Sequence, residues 1–144
     1  MGEYPMLTAE HKKKIKYLSQ YKYLNKEMDR KIKQLEDWKN KIYNISGTLS
    51  DMPRSNNRTS IIENGIAAMD EIETSINSDI DELVNLRAEI ESKIERVKDL
   101  RLRELLKCRY IDCQTWEEIA YENGYSWRNA YYLHEKALDK INLN

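Results

Sequence analysis

The side chains best suited to specific chemistry lie close together near the end of the sequence. Within ten residues stand an arginine, a lysine, an asparagine and three large aromatic side chains: Trp127, Arg128, Asn129, Tyr131, Tyr132 and Lys136. Arginine can donate two hydrogen bonds at once to a guanine base, and tyrosine can contact a phosphate or a thymine methyl group. The set therefore favours contact with nucleic acid over catalysis.

The surrounding sequence predicts two short helices joined by a tight turn. Thr115 can cap the first helix, with Glu118 completing a capping box, and Gly124 stands where a left-handed residue would end that helix. Ser126 can cap the second helix. The apolar residues of the second helix recur at helical spacing: Ala130, Leu133, Ala137 and Ile141. This pattern is typical of a helix-turn-helix, which places its second helix in the major groove of DNA.

In such a motif the first turns of the second helix reach the base edges, and the start of the first helix can bind a phosphate. We therefore predict seven DNA-contacting residues: Thr115, Trp127, Arg128, Asn129, Tyr131, Tyr132 and Lys136. Trp116 and Tyr125 lie at the junction of the two helices, so both are expected to pack in the core. His134 lies at the flank of its helix, where a packing role is expected.

The same segment resembles the C-terminal helix-turn-helix of bacterial sigma factors, the region-4 domain that reads the −35 promoter element. The shared residues are in one register: Thr115, Glu117, Glu118, Ile119, Ala120, Gly124, Ser126, Ala137, Leu138 and Lys140. The run from Leu102 to Tyr110 is similar to the helix that precedes the motif in that family. With its long helical segment and SDMPR sequence, the chain resembles small phage and prophage regulators of the ArpU and RinA type. The resemblance implies transcriptional regulation, with RNA polymerase as a candidate partner.

The chain departs from the sigma pattern at the positions nearest to DNA. Where that family has Arg-Glu-Arg, this sequence has Trp127-Arg128-Asn129, and where it has Arg-Gln, this sequence has Tyr131-Tyr132. Residues 98–144 also carry 8 basic and 8 acidic groups, so their net charge is zero. Because phosphate attraction supplies much of the affinity for DNA, we expect weak binding by a single copy. Dimerisation or polymerase would then hold the protein on its site.

The first two-thirds of the chain carries seven-residue apolar repeats, from about Thr8 to Ile45 and again from Ile62 to Val97. Sustained heptads predict a coiled coil, and the Ser- and Asn-rich segment 46–60 predicts a loop between its helices. Residues 1–58 have a net charge of +6 and residues 59–97 a net charge of −7, which favours antiparallel pairing. We therefore predict an all-α protein. An antiparallel hairpin over 1–97 is followed by a helix-turn-helix domain over 98–144.

Two roles for this coiled-coil arm remain open. It can serve as a spacer within one chain, or its remaining apolar positions can pair with a second copy to form a homodimer. The apolar residues that lie off the main seam favour the second role: Ile15, Ile32 and Ile72. Contact with RNA polymerase is a further role for the same arm.

Composition excludes several classes of protein. Charged residues make up 34% of the chain, and no run is apolar enough to span a membrane. No secretory leader is recognisable, so we expect a cytoplasmic location in a bacterial host. Cys108 and Cys113 are expected to be ordinary packed thiols, because no metal-ligand spacing accompanies them. Without a Gly-rich phosphate loop or an activated nucleophile, we predict neither enzymatic activity nor a cofactor.

Two further hypotheses come from other functional classes. A phage DNA-packaging recognition subunit, similar to a small terminase subunit, also joins a helix-turn-helix to a coiled coil but assembles into rings. A protein-only interaction module would use the same fold without binding DNA, and the zero net charge of residues 98–144 favours it.

Overall fold

The structure, a computed structural model, describes residues 7–48 and 56–144. Within these ranges every regular element is a helix: α1 (Ala9–Leu18), α2 (Gln20–Thr48), α3 (Asn56–Glu95), α4 (Leu100–Tyr110), α5 (Trp116–Asn123) and α6 (Trp127–Lys140). The predicted all-α class is confirmed for this part of the chain. Two compact units divide the chain, one of Leu24–Glu82 and one of Met1–Tyr23 with Leu83–Asn144.

The bounds of the elements differ from those expected. The first predicted helix is interrupted at Ser19, which caps the C-terminus of α1. Of the predicted loop 46–60, residues 49–55 lie outside the described part, whereas 46–48 and 56–60 are helical. Ser, Asn and Thr lower helix propensity by only a few tenths of a kcal/mol each, roughly, so a run of them does not end a helix by itself.

In the Leu24–Glu82 unit, α2 contacts α3 with the two segments running in opposite directions. Lys31 Nζ lies 2.5 Å from Asp79 Oδ2 and donates to Ser75 Oγ at 2.6 Å. Farther along, Ile42 faces Gly65. Lys31, the one polar interruption in the apolar seam of the first predicted helix, thus has two polar partners on α3. The pairing lowers the cost of keeping a lysine in the seam, since its charge is not left without a partner.

The core of the other unit is formed by the end of α3 together with α1, α4, α5 and α6. Its largest fully buried side chains are Leu18, Ile90, Ile94, Leu106, Ile119, Leu138 and Ile141. Between α3 and α4 the chain leaves the helix at Glu95, and Asp99 starts α4 by accepting hydrogen bonds from the N–H groups of Arg101 and Leu102. This break lies near the predicted domain boundary at 97/98, but the compact unit extends beyond it in both directions.

Helix α1 lies on α6. The Thr8 side chain accepts from the His11 N–H, and the Thr8 N–H donates to His11 Nδ1, so the two residues form a capping box at the start of α1. His11 Nε2 therefore carries the ring proton and donates to Asp139 Oδ1 on α6 at 2.5 Å. Lys14 Nζ adds a bond of 2.7 Å to the Leu138 carbonyl. These contacts place the N-terminal residues in the same unit as the predicted helix-turn-helix segment.

None of the helices in the described ranges is both long and apolar enough to cross a membrane. In the same ranges no three His, Cys, Asp or Glu side chains converge on a point where a metal ion would be held.

Candidate nucleic-acid interface

The junction of α5 and α6 is built by three local interactions. Thr115 Oγ1 accepts from the Glu118 N–H at 3.1 Å, and Ser126 Oγ accepts from the Asn129 N–H at 3.1 Å. Between them Gly124 adopts φ 66° and ψ 27°, the left-handed conformation that costs glycine little. Among the described contacts, the Glu118 carboxylate does not return the bond that a full capping box requires. The predicted caps and turn residue otherwise lie where the sequence places them.

Helix α6 has one buried and one exposed face. The four residues predicted to point inward are all buried: Ala130, Leu133, Ala137 and Ile141. On the other side, Arg128 is exposed, and Trp127 and Tyr132 are 43% and 46% exposed. Within the described ranges the Arg128 guanidinium makes no ion pair or hydrogen bond, so its five donors are available to a ligand.

Tyr131 and Asn129 are less available than the other predicted contacts. Tyr131 is half-buried, with its ring centroid 5.5 Å from that of Trp116 and 6.2 Å from that of Trp127. Asn129 is half-buried too, and its N–H is used by the Ser126 cap. Both residues therefore help to fix the first turns of α6, whatever else they contact.

The remaining two predicted contacts are Thr115 and Lys136. Thr115 is exposed at the start of α5, where its hydroxyl is occupied by the cap but the first N–H groups of the helix are open. Lys136 is exposed on α6, eight residues beyond Arg128, which corresponds to about 12 Å along the helix. Trp127, Arg128, Tyr131 and Tyr132 thus lie in the first two turns of α6, Thr115 lies at the start of α5, and Lys136 lies farther along α6.

An aromatic cluster on the core side of the α5–α6 junction packs against it. The Trp116 ring lies edge-on to His134, with centroids 4.5 Å apart, and the Arg109 guanidinium lies 4.7 Å from the Trp116 ring. His134 Nε2 is hydrogen-bonded to the Tyr110 hydroxyl at 2.6 Å. Both Trp116 and His134 have the packing roles expected of them. Tyr125 is half-buried against the core as well, and its hydroxyl accepts from Arg101 Nε at 3.1 Å.

His134 is held neutral by its surroundings. Burial, and after it the nearby charge of Arg109, lowers the pKa of His134 to about 3. Its Nδ1 is buried and has no hydrogen-bond partner in the described part of the chain, so an imidazolium there would lack an acceptor for one proton. Burial also raises the pKa of the partner Tyr110 well above its usual range. The Tyr110–His134 pair is therefore a hydrogen bond between two neutral side chains that links α4 to α6.

Two features of this unit escaped sequence reasoning. Tyr121 on α5 is 89% exposed and was not among the predicted contacts. More importantly, α1 brings its lysines next to α6, although the sequence pattern assigned them to the coiled-coil arm. The run Lys12-Lys13-Lys14 was visible as a basic cluster, but heptad spacing gives no sign that α1 ends at Leu18 and packs elsewhere.

Comparison with known proteins matches more than half of the chain to a family model. Residues 56–142 match the model of a family described as a protein of unknown function, DUF1492. The matched segment begins with α3 and includes α4, α5 and α6. No curated protein and no solved structure matches the chain. Because the family model matches more than half of the 144 residues, the chain belongs to the DUF1492 family.

Proposed function

We propose that this protein is a DNA-binding transcriptional regulator that reads duplex DNA with the first two turns of α6. The observation that carries the proposal is the exposure of Arg128 and Tyr132 on α6, opposite a face that is fully buried in the unit. An exposed helix face held rigidly by a short turn is what insertion into the major groove requires. The sequence resemblance to sigma region 4 supports the same function, and the resemblance to small phage and prophage regulators supports a phage origin.

Each contact residue has a distinct role in the proposal. Arg128 donates two hydrogen bonds to a guanine, and Tyr132 contacts a phosphate or a thymine methyl group one turn further along α6. Trp127 extends the surface at the start of the helix. The free N–H groups at Thr115 bind a phosphate of the flanking backbone. No step in this function needs a cofactor, a metal ion or catalysis.

A gel-shift titration on the DNA upstream of the protein's own gene tests the proposal. Arg128→Ala should weaken binding by about 1–3 kcal/mol, the value of one good bidentate base contact. Arg30→Ala is the matched control, because Arg30 is also exposed but lies in the Leu24–Glu82 unit. Equal binding by wild type and Arg128→Ala would remove Arg128 from the reading surface.

Three measurements distinguish the other functional classes. Absence of binding to any duplex at low salt would favour a protein-only interaction module, in agreement with the balanced charge of residues 98–144. A ring of eight or more copies in native mass spectrometry would favour a DNA-packaging recognition subunit. Co-purification with RNA polymerase would support the sigma-like form of the regulator.

We also propose that α2 and α3 form an antiparallel coiled-coil hairpin that joins two copies into a homodimer. Ile66 and Ile80 are 53% and 43% exposed and stand two heptads apart, so they share one face of α3. Ile32 on α2 is also exposed, whereas Ile15 is partly buried against the core of the other unit and is not available. This exposed apolar face of α3 supports packing against a second copy of the chain, in addition to the face that packs on α2.

Sedimentation at micromolar concentration tests the dimer independently of DNA. The double variant Ile66→Glu, Ile80→Glu should sediment as a monomer, because charged residues at seam positions oppose association. Glu63→Gln, Asp70→Asn changes two exposed positions of the same helix and should leave the dimer intact. A monomeric wild type would remove the dimer while leaving the DNA-binding proposal in place.

A further inference from the structure

Three lysines from distant parts of the sequence meet at the C-terminal end of α6. Lys13 of α1 and Lys140 of α6 line one open cleft, and Lys140 lines a second cleft with Lys98. The α1–α6 contacts described above hold Lys13 in this place, because His11 and Lys14 on either side of it are bonded to α6. We call Lys13, Lys98 and Lys140 the lysine patch.

The two clefts that contain the lysine patch have a positive net charge. All three side chains are exposed, and none of them forms an ion pair within residues 7–48 and 56–144. The two clefts are lined by five basic side chains, Lys13, Lys14, Arg96, Lys98 and Lys140, and by three acidic ones, Glu10, Asp99 and Asp139. Because a carboxylate keeps its charge when it accepts a hydrogen bond from a neutral N–H group, these side chains have a net charge of +2.

The compact unit is therefore more basic than its C-terminal segment alone. Residues 1–23 have 5 basic and 2 acidic groups, and residues 83–144 have 11 of each, so together they carry a net charge of +3. The neutrality of residues 98–144, which argued for weak binding, does not describe the folded unit. The additional charge comes from α1.

We propose that the lysine patch binds the phosphate backbone of the same duplex whose bases Arg128 reads; this inference rests on the proposed function. Arg128 and Lys140 are twelve residues apart on one straight helix, about 18 Å. The major groove is only about 12 Å wide, so a helix reading bases at its start places its other end at the edge of the groove, beside a phosphate strand. The lysine patch contains no aromatic side chain that could contact a base. Its ammonium groups suit phosphates, and contacts with phosphates carry no sequence information.

The salt dependence of binding tests this inference. Fluorescence anisotropy on one labelled duplex, from 50 to 200 mM salt, would compare wild type with the triple variant Lys13→Gln, Lys98→Gln, Lys140→Gln. Each phosphate contact contributes a slope of about 0.9 to the plot of log affinity against log salt. The triple variant should lose about 2–3 from this slope, bind at least roughly tenfold more weakly at low salt, and keep its base preference.

The matched control removes the same charge from the Leu24–Glu82 unit. Lys26→Gln, Lys33→Gln, Lys39→Gln changes three exposed lysines of α2 and should leave the slope within about 0.5 of that of wild type. If the triple variant does not fold, Lys140→Gln alone replaces it in the experiment, and its slope should be lower than that of wild type by about 0.9. Equal slopes for the patch variants and wild type, with base preference still lost in Arg128→Ala, would overturn the lysine patch only. A wild type that binds no duplex would overturn both proposals.

Discussion

His11 and Asp139 are separated by 128 residues of sequence, yet His11 Nε2 donates to Asp139 Oδ1 at 2.5 Å. The His11 ring is buried, and its other nitrogen accepts from the Thr8 N–H, so one side chain both starts α1 and attaches it to α6. This bond explains why the N-terminal residues belong to the unit that contains the candidate interface.

His11→Ala should lower the free energy of unfolding by about 1–3 kcal/mol, because it removes a charge-assisted hydrogen bond and leaves a void under α1. Urea unfolding followed by circular dichroism measures this change. Lys12→Ala, at the exposed neighbouring position, should change it by less than about 0.5 kcal/mol. Equal stability of His11→Ala and wild type would show that α1 does not depend on this bond.

The buried imidazole of His134 makes stability fall in acid. In the unfolded chain it takes up a proton near pH 6.5, whereas in the folded chain the pKa is lowered to about 3. The stabilisation is therefore complete above pH 6.5 and is lost as the pH falls from 6.5 toward 3, by up to about 1.4 kcal/mol per pH unit.

Unfolding free energies at pH 7.5, 6 and 5 would measure this loss for wild type and for His134→Gln, which keeps a polar group but does not titrate. The stability of wild type relative to the variant should decrease between pH 6 and 5 by about 1 kcal/mol. A difference that stays constant with pH would contradict a neutral buried His134.

Gly124 should resist substitution because of its backbone alone. A Cβ atom at this position would meet nothing within 4 Å, so the cost of Gly124→Ala is that of a left-handed conformation, about 1–2 kcal/mol. Gly124→Asn should cost less, since asparagine tolerates this conformation better. Thermal unfolding ranks the three proteins, and an alanine variant as stable as wild type would mean that the turn is not left-handed.

Gly65 tests the packing of α2 on α3. A Cβ atom there would lie 2.8 Å from Ile42 Cδ1 and 3.2 Å from Trp38 Cε3, so Gly65→Val should cost about 1–3 kcal/mol through overpacking. Ala67→Val changes an exposed position on the same helix and controls for the lower helix propensity of valine. Similar unfolding midpoints for the two variants would argue against close contact of α2 with α3.

Sequence reasoning identified the helical class and the local caps, because those depend on neighbouring residues. Thr115, Gly124 and Ser126 act within one or two turns, and their roles follow from residue type and spacing. The break at Ser19 was missed, since the apolar repeat continues through it without a proline or a glycine. In the structure α1 ends at Ser19, whose N–H bonds to the Ile15 carbonyl, and α1 packs on α6. Neither feature has a periodic signal in the sequence.

The candidate site was predictable in part for the same reason. Helical periodicity separates buried Ala130 from exposed Arg128, and both lie as expected. It does not show that Tyr131 packs on Trp116, or that Lys13 stands beside Lys140, because neither pair is close in sequence. Charge counted along the sequence therefore misjudged the charge of the folded unit.

Selection of bound sequences from a random duplex pool tests the central claim most directly. Wild type should enrich a short motif that contains a fixed guanine, and Arg128→Ala should lose the preference at that position while retaining the others. Arg30→Ala should enrich the wild-type motif. The same motif from wild type and Arg128→Ala, or no enrichment by wild type, would contradict base reading by α6.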